Sequence, residues 1–262
     1  MIAPIPFDPR RFRGAAAHYL EGRAPYPEAL IARVALLCGL GPEGHVLDLG
    51  CGPGQLAAAF ATRSAAVMGI DPEPEMLRIA IASGVANATW VQGSSYDIGP
   101  QLGRFRLVVI GRAFHWMDRP DTLRRLEAII EPQGAVALFA DHHPALPDNA
   151  WHAPWRAVLD RYTSPGSART WRQSPDWVPH EQVLLESSFA RLQRIGVIER
   201  RRIPAETLVQ RALSQSDTSR AALGARVETM AADLRAAVAP FVRDGAIVEV
   251  VEAEALIARR AD

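Results

Sequence analysis

Apolar positions along the chain change their period again and again, and each change marks an element. From Tyr26 to Leu37 the spacing is helical, with Leu30, Val34 and Leu37 on one face and Pro27 acceptable in the first turn. Short continuous apolar runs at 45–49, 66–71, 89–92, 107–111 and 135–140 then alternate with helical patterns at 55–62, 73–83 and 119–130. That alternation predicts a parallel sheet with helices on both faces. Right-handed crossovers bring all strand C-termini to one edge, where the ligand crevice of an open α/β sheet forms. After Ala140 the alternation stops. The stretch 141–179 is rich in Pro, His, Trp and Arg, with a helix expected over Trp151–Tyr162, and it reads as a cap over an acceptor site. Regularity returns with a helix at 181–187, a strand at 192–201, a long helix at 220–239 and a last strand at 247–258. The expectation is one domain over 1–262, with an amino-terminal flap at 1–25 and the cap at 141–179.

The first apolar run ends in an acid and a glycine cluster: Val46-Leu47-Asp48-Leu49-Gly50-Cys51-Gly52-Pro53-Gly54-Gln55-Leu56. Without a Cβ, Gly50, Gly52 and Gly54 can take positive φ and let a ligand approach main-chain amides. The second run, Ala65 to Asp71, ends in a carboxylate about 20 residues further on, the separation expected of a ribose-hydroxyl acceptor on the next strand. The dinucleotide fingerprint wants its third glycine where Gln55 stands and does not call for Asp48, so an NAD site fits less well.

These residues resemble the class I S-adenosylmethionine-dependent methyltransferases, whose first motif is an apolar strand, an acid and a Gly-x-Gly-x-Gly loop. Further matches follow in order: Gly69-Ile70-Asp71-Pro72-Glu73-Pro74-Glu75-Met76-Leu77, Trp90-Val91-Gln92-Gly93-Ser94-Ser95, and Phe105 through Trp116. The string Ala113-Phe114-His115-Trp116 is similar to the small-molecule branch that includes trans-aconitate methyltransferase-like enzymes. The resemblance implies a Rossmann-like, seven-stranded, mostly parallel sheet with an antiparallel final strand and a small helical cap after the fifth strand. It also implies S-adenosyl-L-methionine as cofactor and methyl transfer to oxygen, or else nitrogen or carbon, of a small molecule. Cyclisation with the same cofactor and noncatalytic cofactor binding remain as rivals, because a fold does not fix its chemistry.

Carried over residue by residue, the resemblance assigns Asp71 to the ribose hydroxyls, although capping of the next helix is the plain alternative. Asp48 orders the glycine loop near the methionine ammonium, or serves only as a strand-end acceptor. Gly50, Cys51, Gly52 and Gln55 offer the loop itself, with Cys51 contributing its backbone rather than a reactive thiol. Pro72 and Met76 pack on the adenosine, and Ser94 and Ser95 meet the adenine where many relatives carry Asp. Tyr19 and Arg23 lie in the flap, where Arg23 pairs with the methionine carboxylate or stays a surface arginine. Gly111 and Arg112 close the fourth strand, and Arg112 faces either a carboxylate ligand or the acids Asp118 and Asp121. His115 is a general-base candidate, since imidazole titrates near physiological pH, or else packs beneath the cofactor. His143 is the second catalytic candidate, in a cluster with Asp141, His142 and His152 that also reads as acceptor contact or plain loop. No metal is expected. Trp151, Trp155, Trp171 and Trp177 suit either aromatic walls or the core of a cap.

Composition narrows the partners. At 262 residues and 48% apolar the chain can bury a full α/β core, and its formal charge of zero leaves no electrostatic footprint for nucleic acid or an anionic membrane. All 29 basic side chains are arginine, which excludes Schiff-base chemistry and a phosphate-loop lysine. Two cysteines fit a reducing compartment, and neither a membrane-length apolar run nor a signal-peptide pattern is present, so a cytoplasmic protein is expected.

Overall fold

The computed structural model describes residues 6–163, 171–172 and 174–261. Seven strands form one sheet: β1 (His45–Leu49), β2 (Ala66–Asp71), β3 (Ala88–Gln92), β4 (Phe105–Gly111), β5 (Ile130–His142), β6 (Arg191–Pro204) and β7 (Ala246–Arg259). Their order is β3-β2-β1-β4-β5-β7-β6, and β7 alone runs antiparallel to its neighbours. The order reverses between β1 and β4. A crevice therefore opens there, beyond the carboxyl ends of the parallel strands.

Period-two alternation explains why the central strands are apolar almost throughout. Leu107 and Val109 of β4 face one core layer, with Phe60 of helix α3 (Gln55–Ala61) and Ile31 of α2 (Glu28–Leu37). Val108 and Ile110 face the other, with Leu123 and Leu126 of α5 (Arg119–Glu127). A strand covered on both sides has no polar face to offer. The remaining sheet helix, α4 (Pro74–Ala82), packs beside β2 and β3.

The expected strands are present, and β5 is longer: it begins at Ile130 rather than at 135, with a register shift between Phe105 and Leu107 of β4. The long helix expected at 220–239 is broken. It forms a short α9 (Arg220–Leu223), then Gly224 at φ 55° starts a 3₁₀ turn, and α10 follows (Val227–Val238). Glycine ends a helix here for the usual reason, its access to positive φ. Two further helices carry no strong sequence signal: α1 (Ala16–Gly22) and α8 (Thr207–Leu213). Between β5 and β6 lie α6 (His152–Tyr162) and α7 (His180–Leu185), with 164–170 and 173 of the expected cap outside the described residues.

A third apolar cluster shows how the upper layer is assembled. Trp151 and Trp155 bury against Leu208 and Leu213 of α8 and Met230 and Leu234 of α10. Their indole N–H groups donate to Val248 O (3.0 Å) and Leu208 O (3.1 Å). The helix after β5 is thus packed on the helices inserted between β6 and β7, and neither insertion could bury its apolar face alone.

Candidate functional site

The turn after β1 is wired by its own backbone. Gly50 and Cys51 both donate to Ile70 O, at 2.8 and 3.0 Å. Gly50 sits at φ 71°, where a Cβ would stand 2.7 Å from that of Ala113. Gly52, at φ 54°, has open space where its Cβ would be, and donates to Asp71 Oδ2 at 2.8 Å. Asp71 Oδ1 accepts from Glu73 N at 2.9 Å. Each carboxylate oxygen keeps capacity for a further donor. Burial pushes the Asp71 carboxyl up to about 6, against the hydrogen bonds from Glu73 and Gly52.

Around this loop lies a narrow cleft of about 100 Å³, walled by Asp71, Pro72, Met76, Gly93, Ser94 and Ser95 on one side and Gly111, Arg112, Ala113 and Trp116 on the other. The amino-terminal segment forms its roof. Phe7 stands edge-on to Tyr96 and Phe12 edge-on to Trp116, each at 5.6 Å, and Arg11 lies 4.8 Å over the Trp116 ring. Arg10 bonds the buried Glu73 at 3.3 Å, and Gly14 N–H donates to Glu75 at 3.2 Å. At its other end the segment is tied to α8, where His18 Nδ1 lies 2.6 Å from Gln210 Oε1.

Beyond Tyr19, Arg112 and Trp116 the cleft opens into a cavity of about 680 Å³. Six arginines line it (Arg23, Arg112, Arg156, Arg172, Arg194, Arg211) against four carboxylates (Asp141, Glu181, Asp217, Glu254). Arg112 is the strained member, at φ 55°. Its N–H is anchored on Phe139 O (2.9 Å), its guanidinium pairs with Asp141, reaches Ala24 O at 3.2 Å and lies 4.5 Å over the Tyr26 ring. Burial would raise the Asp141 carboxyl, but Arg112 and Arg23 outweigh it and hold the group down to about 2. Arg194 pairs with Glu181 and, at 3.4 Å, with Glu254. Arg23 donates to Ser214 Oγ at 2.9 Å and, like Arg156, has no carboxylate partner among the described residues.

Residues 46–134 match the methyltransferase domain family. A trans-aconitate 2-methyltransferase of Deinococcus radiodurans is 37% identical over 46% of this chain and 46% of its own length. An uncharacterized methyltransferase of Synechocystis is 32% identical over 46% of this chain and 65% of its own. An S-adenosylmethionine-dependent methyltransferase from Thiobacillus denitrificans, solved with S-adenosyl-L-homocysteine, shares the fold at TM-score 0.53 and 16% identity, over 99% of this chain and 100% of that one. Residues 46–134 carry a methyltransferase domain. The chain spans about half the length of the first curated relatives it matches, 46% of one and 50% of another.

The cofactor that goes with this methyltransferase domain is S-adenosylmethionine, and the cleft has the features such a ligand needs: an open Gly52 backbone and a buried carboxylate at Asp71. Tyr19, Gly50, Gly52, Asp71, Pro72, Met76, Ser94, Ser95, Gly111 and Arg112 all border it. Four other candidates stand back from it. Asp48 is buried behind the loop, accepting from Ala57 N at 2.9 Å in the first turn of α3, and burial raises its carboxyl to about 7. Cys51 turns its thiol inward toward Gly69, and burial pushes that thiol well above its ordinary range. Gln55 donates to Arg23 O at 3.2 Å, joining α3 to the amino-terminal segment, while Arg23 itself borders the larger cavity. Ser94 Oγ is taken up in a capping box, bonding Asp97 at 2.9 Å.

His115 and His143 both line the cavity. His115 sits on the 3₁₀ turn Phe114–Trp116, tilted on the Trp116 ring at 4.5 Å, and burial holds its imidazole well below the usual range and hence neutral. His143 bonds Glu249 of β7 at 3.0 Å. Trp155 and Trp177 reach the cavity, whereas Trp151 is core. Among the described residues no group of three or more His, Cys, Asp or Glu could hold a metal, and no helix is long and apolar enough to cross a membrane. Phe7, Arg11, Phe12 and Trp116 were not sequence candidates. Their signal was faint: three aromatic and one basic side chain without periodicity.

Proposed function

We propose that this chain transfers a methyl group from S-adenosylmethionine to an oxygen of a small anionic metabolite. The observation that carries this reading is the arginine-lined cavity opening directly from the cleft across Tyr19 and Arg112, with six guanidinium groups against four carboxylates on its walls. The Deinococcus relative named for trans-aconitate points to the same acceptor chemistry.

When bound, S-adenosylmethionine supplies a methyl carbon already activated by its sulfonium. What remains for the protein is placement. Asp71 holds the ribose, the segment from Phe7 to Tyr19 closes over the cleft and keeps water out, and arginines without a carboxylate partner among the described residues, such as Arg23 and Arg156, hold an anionic acceptor. Holding acceptor and donor about 3 to 3.5 Å apart in line supplies roughly 7 to 11 kcal/mol of barrier reduction, more than a general base adds.

S-Adenosylhomocysteine should raise the melting temperature, because it binds only the native state, and NAD should not. Transfer of a tritiated methyl group to trans-aconitate or a related small carboxylate, with S-adenosylhomocysteine as co-product, is the expected activity. A larger stabilisation by NAD overturns the cofactor assignment, and methylthioadenosine as product overturns methyl transfer.

A further inference from the structure

Behind the cavity wall lies a buried ionic cluster that the reading above leaves unused. Glu249 is fully buried and receives Arg211 Nη1 on Oε2 (2.8 Å), Arg211 Nη2 on Oε1 (3.2 Å), Arg201 Nε on Oε1 (2.7 Å) and His143 Nε2 on Oε2 (3.0 Å). Two arginines already neutralise this carboxylate, so the fourth contact matters chiefly to the histidine. Burial pushes the Glu249 carboxyl up, but the His143 hydrogen bond and the two arginines outweigh it and hold it well below the usual range. An ionised carboxylate only accepts, so Nε2 must carry a proton. Arg211 Nη1 also lies 3.3 Å from Nε2, but it is itself a donor and its nearer partner is Oε2.

In the neutral imidazole the lone pair then resides on Nδ1, which has no hydrogen-bond partner among the described residues. The ring is also clamped. It stacks on His152 at 4.9 Å and 22°, His152 stacks on Trp155 at 5.9 Å and 24°, and Trp151 stands edge-on to His143 at 5.1 Å. The charged or titratable groups facing it are Glu249 from β7, Arg211 from α8 and His152 from α6, with Arg201 of β6 behind Glu249. Such an arrangement, in which a carboxylate fixes the tautomer of a cavity-lining imidazole, leaves one nitrogen free to accept a proton.

We propose that His143 Nδ1 is the general base for a hydroxyl acceptor in this cavity and that Glu249 is the residue that positions it. The proposal rests on the methyl-transfer reading and extends its oxygen from carboxylate to hydroxyl. As the acceptor oxygen bonds to the methyl carbon, the carbon–sulfur bond breaks and its electron pair stays on sulfur, the sulfonium becoming a neutral thioether. The hydroxyl proton passes to Nδ1, and the imidazolium, facing Glu249, later releases it to water. A carboxylate acceptor is already ionised at neutral pH and needs no such step.

Nitrogen NMR of the ring-labelled protein with S-adenosylhomocysteine tests the tautomer without any acceptor. The wild type at pH 8 should show His143 protonated at Nε2 and bare at Nδ1, and Glu249→Gln should mix the tautomers. A protonated Nδ1 in the wild type overturns the proposal. Because Glu249→Gln strands two arginines and could misfold, His143→Gln serves as the second variant, since its amide still reaches Glu249. It should leave S-adenosylhomocysteine affinity within about twofold while cutting turnover of 3-hydroxybenzoate on the order of 10²-fold more than that of trans-aconitate, the difference being the contribution of a base. Equal losses on both acceptors, or none on the hydroxyl one, overturn the proposal. Failure of the wild type to bind S-adenosylhomocysteine would overturn the underlying methyl-transfer reading instead.

Discussion

The cleft over the glycine loop and the cavity beyond it share Tyr19, Arg112 and Trp116, yet they are built in opposite ways. The cleft is held by backbone amides of one loop bonded to the end of the next strand, Gly50 and Cys51 on Ile70 O and Gly52 on the Asp71 carboxylate. The cavity is held by side-chain pairs joining distant segments, Arg112 to Asp141, Arg211 to Glu249 and Arg23 to Ser214. Backbone wiring tolerates little change, because any side chain at Gly50 meets Ala113. Guanidinium groups can be exchanged one at a time. On the proposed reading, cofactor recognition in the cleft and acceptor recognition in the cavity should therefore be separable by mutation, and the sharpest tests ask whether a change on one side leaves the other intact.

The largest expected effect is on the cleft. Asp71→Ala removes the proposed acceptor for two ribose hydroxyls, and at ~1.5 to 3 kcal/mol for each charged hydrogen bond the loss should exceed about a hundredfold in S-adenosylhomocysteine affinity by calorimetry. It also frees the Gly52 and Glu73 amides, so circular dichroism must show the fold retained. Unchanged affinity in a folded variant would remove Asp71 from the site.

The same contrast explains what could be read from the chain. Strand order aside, the alternation from 45 to 140 was legible because it depends on neighbours a few residues apart, and the Gly50-to-Asp71 spacing because it is the fixed step from one strand end to the next. Helix α8 was not, since Leu208, Val209, Ala212 and Leu213 are too short a run to declare a period and gain their meaning only against Trp155. Arg112 was legible as a residue at the sheet edge, but not its partner: Asp141 lies 29 positions away at the end of β5, whereas Asp118 and Asp121 are nearer in sequence. Glu249 gave no signal at all, being one of three acids, with Glu252 and Glu254, along β7. Its importance comes from Arg201, Arg211 and His143 converging on it.

A test from the other side of the comparison uses Trp151, which is 1% exposed and bonds Val248 O. Trp151→Ala should cost about 3 to 5 kcal/mol of stability by emptying the cluster between the two insertions. Affinity for S-adenosylhomocysteine in the folded fraction should change far less than in Asp71→Ala. A variant that loses cofactor affinity in proportion to stability would show that the two regions form one cooperative unit.

The smallest expected effect is a pH dependence that distinguishes the regions by sign. With its carboxyl raised to about 6, Asp71 is ionised at pH 7.5, the form its proposed ribose contact requires, but becomes protonated as pH falls through 6. Ligand binding prefers the ionised form, so S-adenosylhomocysteine affinity should be flat above about pH 7 and decline below 6, by no more than about tenfold per unit for a single proton. Melting temperature is the wrong readout. The raised carboxyls of Asp71 and Asp48 make the folded state take up protons on acidification and so favour it, whereas His115 and His180, held neutral by burial with His180 near 4, oppose it because the unfolded histidines protonate first. Affinity isolates the cleft. Asp71→Asn, weaker at every pH, should lose the decline below 6, and a decline that survives in Asp71→Asn would place the titrating group elsewhere, with Asp48 behind the loop the first to examine.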